Sequence, residues 1–154
     1  MRRKFEFVER MIREKDDEYK ICMKLPKRST KNSAGYDFYA MEDIICKPRE
    51  ITMVKTGIKA KMEDNEVLLL FNRSSNPKKK GLIILNGVGV VDADYYGNAN
   101  NDGEIAGLFY NMREEDVEIK AGEKIMQGIF VKYAITEDDK AEGERTGGFG
   151  STGK

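Results

Sequence analysis

Three observations predict an all-β protein, a sandwich or barrel of short strands. Apolar runs rich in Val, Ile, Leu and Phe recur at intervals of about ten residues, the spacing of short antiparallel strands. Glycine, proline and asparagine punctuate these runs, and such residues turn a chain rather than extend a helix. Past residue 18 no helical apolar period is sustained, so no long helix is expected.

Taken in order, residues 1–18 are charge-rich and ambiguous. Phe5 and Phe7 alternate like a strand, whereas Val8, Met11, Ile12 and Lys15 share one helical face. Tyr19–Leu25 alternates like a strand that stops at Pro26, and 27–33 reads as a polar loop. Short strands are expected at Ile44–Cys46, Ile51–Thr56 and Ile58–Met62, punctuated by Pro48 and Gly57. Glu66–Phe71 reads as a buried strand broken by Asn72–Pro77 and three lysines, and Gly81–Leu85 follows. Asn98–Gly103 is a loop tip by composition, and Ile105–Tyr110, Val117–Ile119 and Ile125–Tyr133 complete the strands.

At 154 residues the chain reads as a single domain, 1–154, with an N-terminal extension (1–18) and a flexible, glycine-rich C-terminal arm from about 135 to 154. Lysine plus arginine and aspartate plus glutamate each total 27, so no net charge draws the chain to nucleic acid or membrane. No apolar run reaches spanning length, and a soluble, cytoplasmic protein is expected. Cys22 and Cys46 are far apart in sequence and are expected to be buried free thiols. There is no histidine. That removes Ser-His and Cys-His nucleophiles, histidine bases and histidine-bearing zinc sites. An enzyme built from this chain must use a carboxylate base, and any metal would be a hard, oxygen-bound ion such as Mg2+.

The stretch Asn86-Gly-Val-Gly-Val-Val-Asp-Ala-Asp-Tyr-Tyr-Gly97 offers such a base. It reads as a short apolar strand ending in two carboxylates and two tyrosines. A carboxylate at the tip of an apolar strand is expected to be poorly solvated and to hold its proton more tightly, as a general base near neutral pH requires. A hairpin with a polar end is the plainer reading. The tail Arg145-Thr-Gly-Gly-Phe-Gly-Ser-Thr-Gly-Lys154 sets a phenylalanine among glycines and hydroxyls. As an arm closing over a ligand it would stack Phe149 on a flat base and bring Ser151, Thr152 and the amide of Gly150 to phosphate oxygens. Disorder is the alternative. Gly148-x4-Gly153-Lys154 imitates a P-loop without the following Ser/Thr and helix, and Asp92-x-Asp94 opens like an EF-hand but has Gly103 where the bidentate glutamate belongs. Arg73-Ser-Ser75, Asp37 and Gln127 are each unspecific alone.

In this order, five segments together resemble the five motifs of the homotrimeric dUTPase family. They are Ala34–Ala40, Arg73–Ser75, Gly89–Gly97, Gly122–Gln127 and Arg145–Gly153, covering about residues 20 to 154. The resemblance implies a jelly-roll-like β fold and a homotrimer whose active sites lie between subunits. It implies Mg2+-assisted hydrolysis of dUTP to dUMP and diphosphate, which limits uracil incorporation into DNA and supplies dUMP for thymidylate synthesis. By the same resemblance Asp92 deprotonates the water that attacks the α-phosphorus, and Tyr95 packs on the deoxyribose where a 2′-hydroxyl would clash. Asn86 and the hairpin after it, including Gly89, read uracil. Arg73, Ser74, Ser75 and Gln127 hold phosphates and water, and Asp37 meets waters around Mg2+. Phe149 covers the base, and Arg145, Gly150, Ser151 and Thr152 bind the outer phosphates.

The chain departs from the family pattern in places. One residue is missing between Arg145 and the paired glycines, the loop Asn98–Gly103 is longer than usual, and Tyr96 replaces a basic residue and is expected to face solvent. A dCTP deaminase, or a bifunctional deaminase and dUTPase, shares the fold and the Arg-Ser-Ser segment, but such deaminases resemble one another in carrying a glutamate in the strand that here reads Gly107–Asn111, where no carboxylate lies. A regulatory module, in which nucleotide closes the arm and the closed form meets a partner protein, is the reading from another class.

Overall fold

The computed structural model describes residues 3–13, 22–143 and 145. Among them the chain forms strands β1 (Lys4–Phe7), β2 (Lys27–Arg28), β3 (Tyr36–Tyr39), β4 (Ile44–Cys46), β5 (Ile51–Lys61), β6 (Glu66–Asn72), β7 (Leu82–Ile84), β8 (Val88–Asp92), β9 (Ile105–Asn111), β10 (Val117–Ile119) and β11 (Lys124–Lys132). One short helix, α1 (Glu9–Arg13), follows β1. A five-stranded sheet has the order β2-β3-β11-β6-β8, a four-stranded sheet the order β1-β5-β9-β7, and β10 pairs with β4. All pairings are antiparallel. This is the all-β architecture expected from the strand spacing, in the jelly-roll-like form that the motif resemblance implies.

Period-two alternation buries one face of each sheet. From one come Phe38, Leu68, Leu70 and Met126, and from the other Val54, Ile58, Ile105 and Phe109, in one continuous core. Burying a side chain of this kind is worth about 1.5–3 kcal/mol, so these residues hold the sheets together. No helix among the described residues is long and apolar enough to cross a membrane. The cysteines are unpaired. Cys46 is buried as expected, but Cys22 is only half-buried, and burial pushes both thiols up.

Four local expectations need correction. Cys22–Leu25, the described part of the expected strand Tyr19–Leu25, is not a strand. Instead the Cys22 N–H donates to the Met41 carbonyl at 2.6 Å, and Lys27–Arg28, read as loop, pairs with the edge of β3. Alternating side chains do not create a strand without a free sheet edge at that point. Ile51–Thr56 and Ile58–Met62 merge into β5, because Gly57 sits at a register shift between Lys55 and Ile58 rather than in a turn. Asn76–Lys80, read as punctuation, winds into one π-helical turn with Pro77 at its start and Gly81 as its left-handed cap.

The N-terminal segment divides at Val8 into a strand and a helix, but of the expected helical face Val8 and Met11 are buried, Ile12 is exposed and Lys15 lies outside the described residues. The alternating phenylalanines form β1 against β5, and the helical face forms α1. Phe5 packs among Tyr36, Phe38 and Phe130 with ring centroids 5.2–5.4 Å apart. Val8 and Met11 bury against Met41, and Arg3 pairs with the buried Glu66 at the start of β6. The segment Arg3–Arg13 is thus built into the fold.

Candidate active site

The predicted residues gather at two places on the chain. The first lies along β8 and the 3-10 turn Ala93–Tyr95 that follows it. β8 is the edge strand of the five-stranded sheet, paired with β6 from Val67–Asp92 to Phe71–Val88. Beside it lies a cavity of about 280 Å³ lined by Asn86, Gly89, Asp92, Tyr95, Glu104 and Arg145, among others. That is near the lower end of the roughly 300–1,000 Å³ of small-molecule sites. It suits a nucleoside better than a triphosphate.

Tyr95 is buried, and its hydroxyl donates to the Glu104 carbonyl at 2.8 Å and accepts from Asn101 Nδ2 at 2.7 Å. Burial pushes its phenol up. Asp92 differs from expectation. Its side chain is 49% exposed and paired with Arg145 Nη2, so the poor solvation inferred from the apolar strand is absent in this chain. The strand's apolar side chains alternate, and a residue at its end projects past them into solvent. Arg145 Nε also donates to Asp94 Oδ1 at 2.7 Å, and the guanidinium lies 5.9 Å from the Tyr95 ring centre. Tyr96 is likewise not solvent-facing. It is half-buried, donates to Glu6 and lies under Lys59 and Lys61 at 5.0 and 5.5 Å. The Glu6 carboxylate pushes its phenol up to about 12.

The second cluster lies across β3, β11 and β6. Asp37 and Gln127 are cross-strand partners, and Gln127 also faces Phe71, two residues before Arg73. Asp37 accepts from Ser29 Oγ at 2.6 Å, Lys124 Nζ is 2.7 Å away, and Arg73 Nε is 3.7 Å away. Burial works against the charge on Asp37, but Lys124, Ser29 and Arg73 outweigh it and hold the carboxyl below the usual aspartate range. Arg73 is itself steadied by the Lys124 carbonyl at 3.4 Å. The backbone at Gly35 passes close to Gln127, where a Cβ would stand 2.5 Å from Oε1 and displace that side chain. Ser74 is exposed beside this cluster, and Ser75 is half-buried at the start of the π-helical turn.

Because Asp37 ionises more readily in the fold than in the unfolded chain, its contribution to stability is complete above about pH 4 and lost as pH falls through the lower folded value. Asp37→Asn is therefore expected to flatten the acid limb of a melting-temperature profile while changing stability far less below about pH 3. An unchanged acid limb would show that the Asp37 pairing contributes nothing to stability.

One chain does not bring the two clusters together. Asp92 faces Val67 at the start of β6, and Arg73 lies just past its end at Asn72. At about 3.3 Å per residue along β6, Asp92 and Arg73 are roughly 20 Å apart. Asp37, three strands across, is similarly distant. Of the arm, Arg145 is described, while Phe149, Gly150, Ser151 and Thr152 lie outside the described residues. Sequence reasoning missed Lys124 and Ser29 beside Asp37, and Asn101 and Glu104 around Tyr95. Lys124 lies inside the singled-out segment 122–127 and Asn101 inside the loop Asn98–Gly103, but Ser29 and Glu104 carry no sequence signal.

Fold and clusters together define the class: an all-β, jelly-roll-like protein whose two polar clusters contain no histidine. The chain belongs to the dUTPase family, whose model matches residues 22–153. The deoxyuridine 5′-triphosphate nucleotidohydrolase of Lactococcus lactis subsp. lactis (strain IL1403) is 48% identical over 131 residues, covering 84% of this chain and 87% of that protein. Its counterpart from Helicobacter pylori (strain Shi470) is 33% identical over 136 residues, covering 84% of this chain and 88% of that protein. Among solved structures, the Streptococcus mutans dUTPase superposes with a TM-score of 0.77 at 40% identity, covering 86% of this chain and 98% of that one. The dUTPase from phage phi11 of S. aureus, at 20% identity and a TM-score of 0.71, shares the fold over 93% of this chain and 97% of that one.

Proposed function

We propose that this dUTP diphosphatase works as a homotrimer on the cytoplasmic nucleotide pool, cleaving dUTP into dUMP and diphosphate at sites completed between subunits. The observation that carries this reading is the division of labour within one chain. A nucleoside-sized cavity beside a carboxylate stands roughly 20 Å from the arginine, lysine and hydroxyls suited to phosphates. A single triphosphate cannot use both clusters of one chain, but it can use one from each of two chains around a closed symmetric ring.

In the assembled site uracil lies against the Asn86 turn and Gly89, and the deoxyribose packs on Tyr95. A ribose would press its 2′-hydroxyl into that buried ring. Asp92 takes a proton from water as the oxygen bonds to the α-phosphorus, and the bond to the β-phosphate breaks to release diphosphate. Arg73, Ser74, Ser75 and Gln127 of a neighbouring chain hold the phosphates. The guanidinium of Arg145 must leave Asp92 first. A triphosphate, with several negative charges, competes for it more strongly than the half-exposed Asp92 and Asp94 carboxylates do.

Among the described residues no three metal-ligating side chains gather. Asp37 Oδ2 is taken by Ser29 and Lys124, whereas Oδ1 lies 3.7 Å from Arg73 Nε, beyond hydrogen-bond distance. It retains lone pairs for a metal-bound water. This fits a Mg2+ held mainly by the triphosphate, with Asp37 meeting its hydration shell, and does not fit a separate protein cage. When bound, the ion supplies charge neutralisation at the phosphates.

The test is diphosphate release from dUTP, set against dTTP and UTP. Rapid turnover of dUTP alone is expected, and equal turnover of all three would contradict the assignment of the cavity. Deleting residues 145–154 is expected to lower activity on dUTP by about a hundredfold or more, as loss of a closing arm does. The melting temperature should change by no more than a few degrees, because residues 134–143 leading to the arm are exposed and outside any strand. Loss of the fold on deletion would refute the closing-arm role.

A further inference from the structure

Two departures from the family pattern meet in space. Residues 1–21 precede the segment that the family model matches, and the loop Asn98–Gly103 is expected from the motif resemblance to be longer than usual. The described N-terminal residues touch this loop region three times. Glu6 accepts from the Tyr96 hydroxyl, the Glu9 N–H donates to Asp102 Oδ2 at 2.9 Å, and Arg10 pairs with Glu104.

The loop in turn encloses Tyr95. Asn101 Nδ2 donates to the Tyr95 hydroxyl and the Glu104 carbonyl accepts from it. Asn98 Nδ2 donates to the Tyr95 carbonyl at 2.8 Å and Asn98 Oδ1 accepts from the Asn100 and Asn101 N–H groups. Gly103, at φ 80°, passes so close that a Cβ would stand 2.6 Å from the Tyr95 carbonyl oxygen. Asp102 is held at φ 58°, a left-handed conformation that persists where surrounding contacts over-determine it. Lys59 Nζ at 2.8 Å from both its oxygens and the Glu9 N–H supply those contacts. Glu104 is buried and also accepts from the Gly57 N–H at 3.2 Å, so its backbone position is fixed from both sides.

We infer that the N-terminal segment and the 98–104 loop form a clamp that positions the Tyr95 ring, and that Arg10 and Asn101 are thereby positioning residues for discrimination between deoxyribose and ribose. The inference rests on the proposed packing of the sugar on Tyr95. A ring fixed at its hydroxyl by two partners cannot tilt away from a 2′-hydroxyl, whereas a ring freed from Asn101 or from an anchored Glu104 can. Ribonucleotide then gains and deoxyribonucleotide loses little. A misplacement of about 1 Å at such a surface changes rates by up to about a hundredfold, so even a partial release is measurable.

The experiment compares kcat/KM for dUTP and UTP in the full-length protein and in Arg10→Ala, Arg10→Lys and Asn101→Ala, with melting temperatures measured alongside. The dUTP-to-UTP ratio is expected to fall about tenfold in Arg10→Ala and Asn101→Ala, mainly through faster UTP turnover, with kcat on dUTP within about threefold of the parent. Arg10→Lys keeps a cation on Glu104 and is expected to restore most of the ratio. If Arg10→Ala fails to fold, Asn101→Ala decides, since Asn101 contributes to no strand. Hydrogen exchange gives a second readout: dUMP is expected to raise amide protection in residues 4–13 as well as in 95–105. A ratio unchanged within twofold in the folded variants, or no protection of 4–13 on dUMP binding, would overturn the clamp. A parent protein that fails to hydrolyse dUTP would instead overturn the function on which the clamp rests.

Discussion

Asp92→Asn is expected to lower kcat on dUTP by about a thousandfold while leaving melting temperature and assembly intact. General-base catalysis contributes about 10²–10⁴ in rate, and the histidine-free chain offers no substitute imidazole. The substitution keeps size and hydrogen-bonding shape but cannot take a proton from water. The side chain is 49% exposed and pairs with Arg145, so the fold does not depend on its charge. KM should change less than kcat, because the proton is taken only in the transition state. Single-turnover diphosphate release measures the step directly. A variant keeping more than about a tenth of the parent rate would remove Asp92 from the chemistry.

Arg73→Ala is expected to lower kcat/KM on dUTP by about two to three orders of magnitude, as removal of a preorganised donor to developing phosphate charge does. The neighbouring structure should hold. Asp37 keeps Lys124 at 2.7 Å and Ser29 at 2.6 Å when the guanidinium, 3.7 Å away, is removed. Arg73→Lys is expected to recover only part of the loss, because an ammonium replaces the planar fork with a point charge. Full recovery by lysine would mean that charge alone, without bidentate geometry, is what the site uses.

How far the sequence reveals this molecule depends on the range of the forces involved. Strands such as β6, β9 and β11 are legible because their alternation is local and their ends carry turn residues. β2 is not, since Lys27–Arg28 pair only because the edge of β3 is open beside them. The merging of two runs into β5 depends on a register shift at Gly57, which a glycine in sequence does not distinguish from a turn. At the site, Asp37, Arg73 and Gln127 converge as their motif resemblance implies. Lys124 and Ser29 converge with them through sheet order alone. The expected burial of Asp92 failed because a strand's apolar character says nothing about the residue that projects past its end. The clamp around Tyr95 joins positions about ninety residues apart, Glu6 to Tyr96 and Arg10 to Glu104, and no local pattern announces such pairs.

Subunit mixing tests most directly the proposal that Asp92 of one chain serves the phosphate cluster of another. Asp92→Asn and Arg73→Ala proteins, each nearly inactive, are unfolded together in equal amounts, refolded as mixed trimers and assayed on dUTP. If each site draws these residues from two neighbouring chains, random mixing leaves about a quarter of the sites with both intact, and about a quarter of the parent activity returns. If both residues serve the same chain, no site in any mixture is whole, and activity stays at the level of the separate variants.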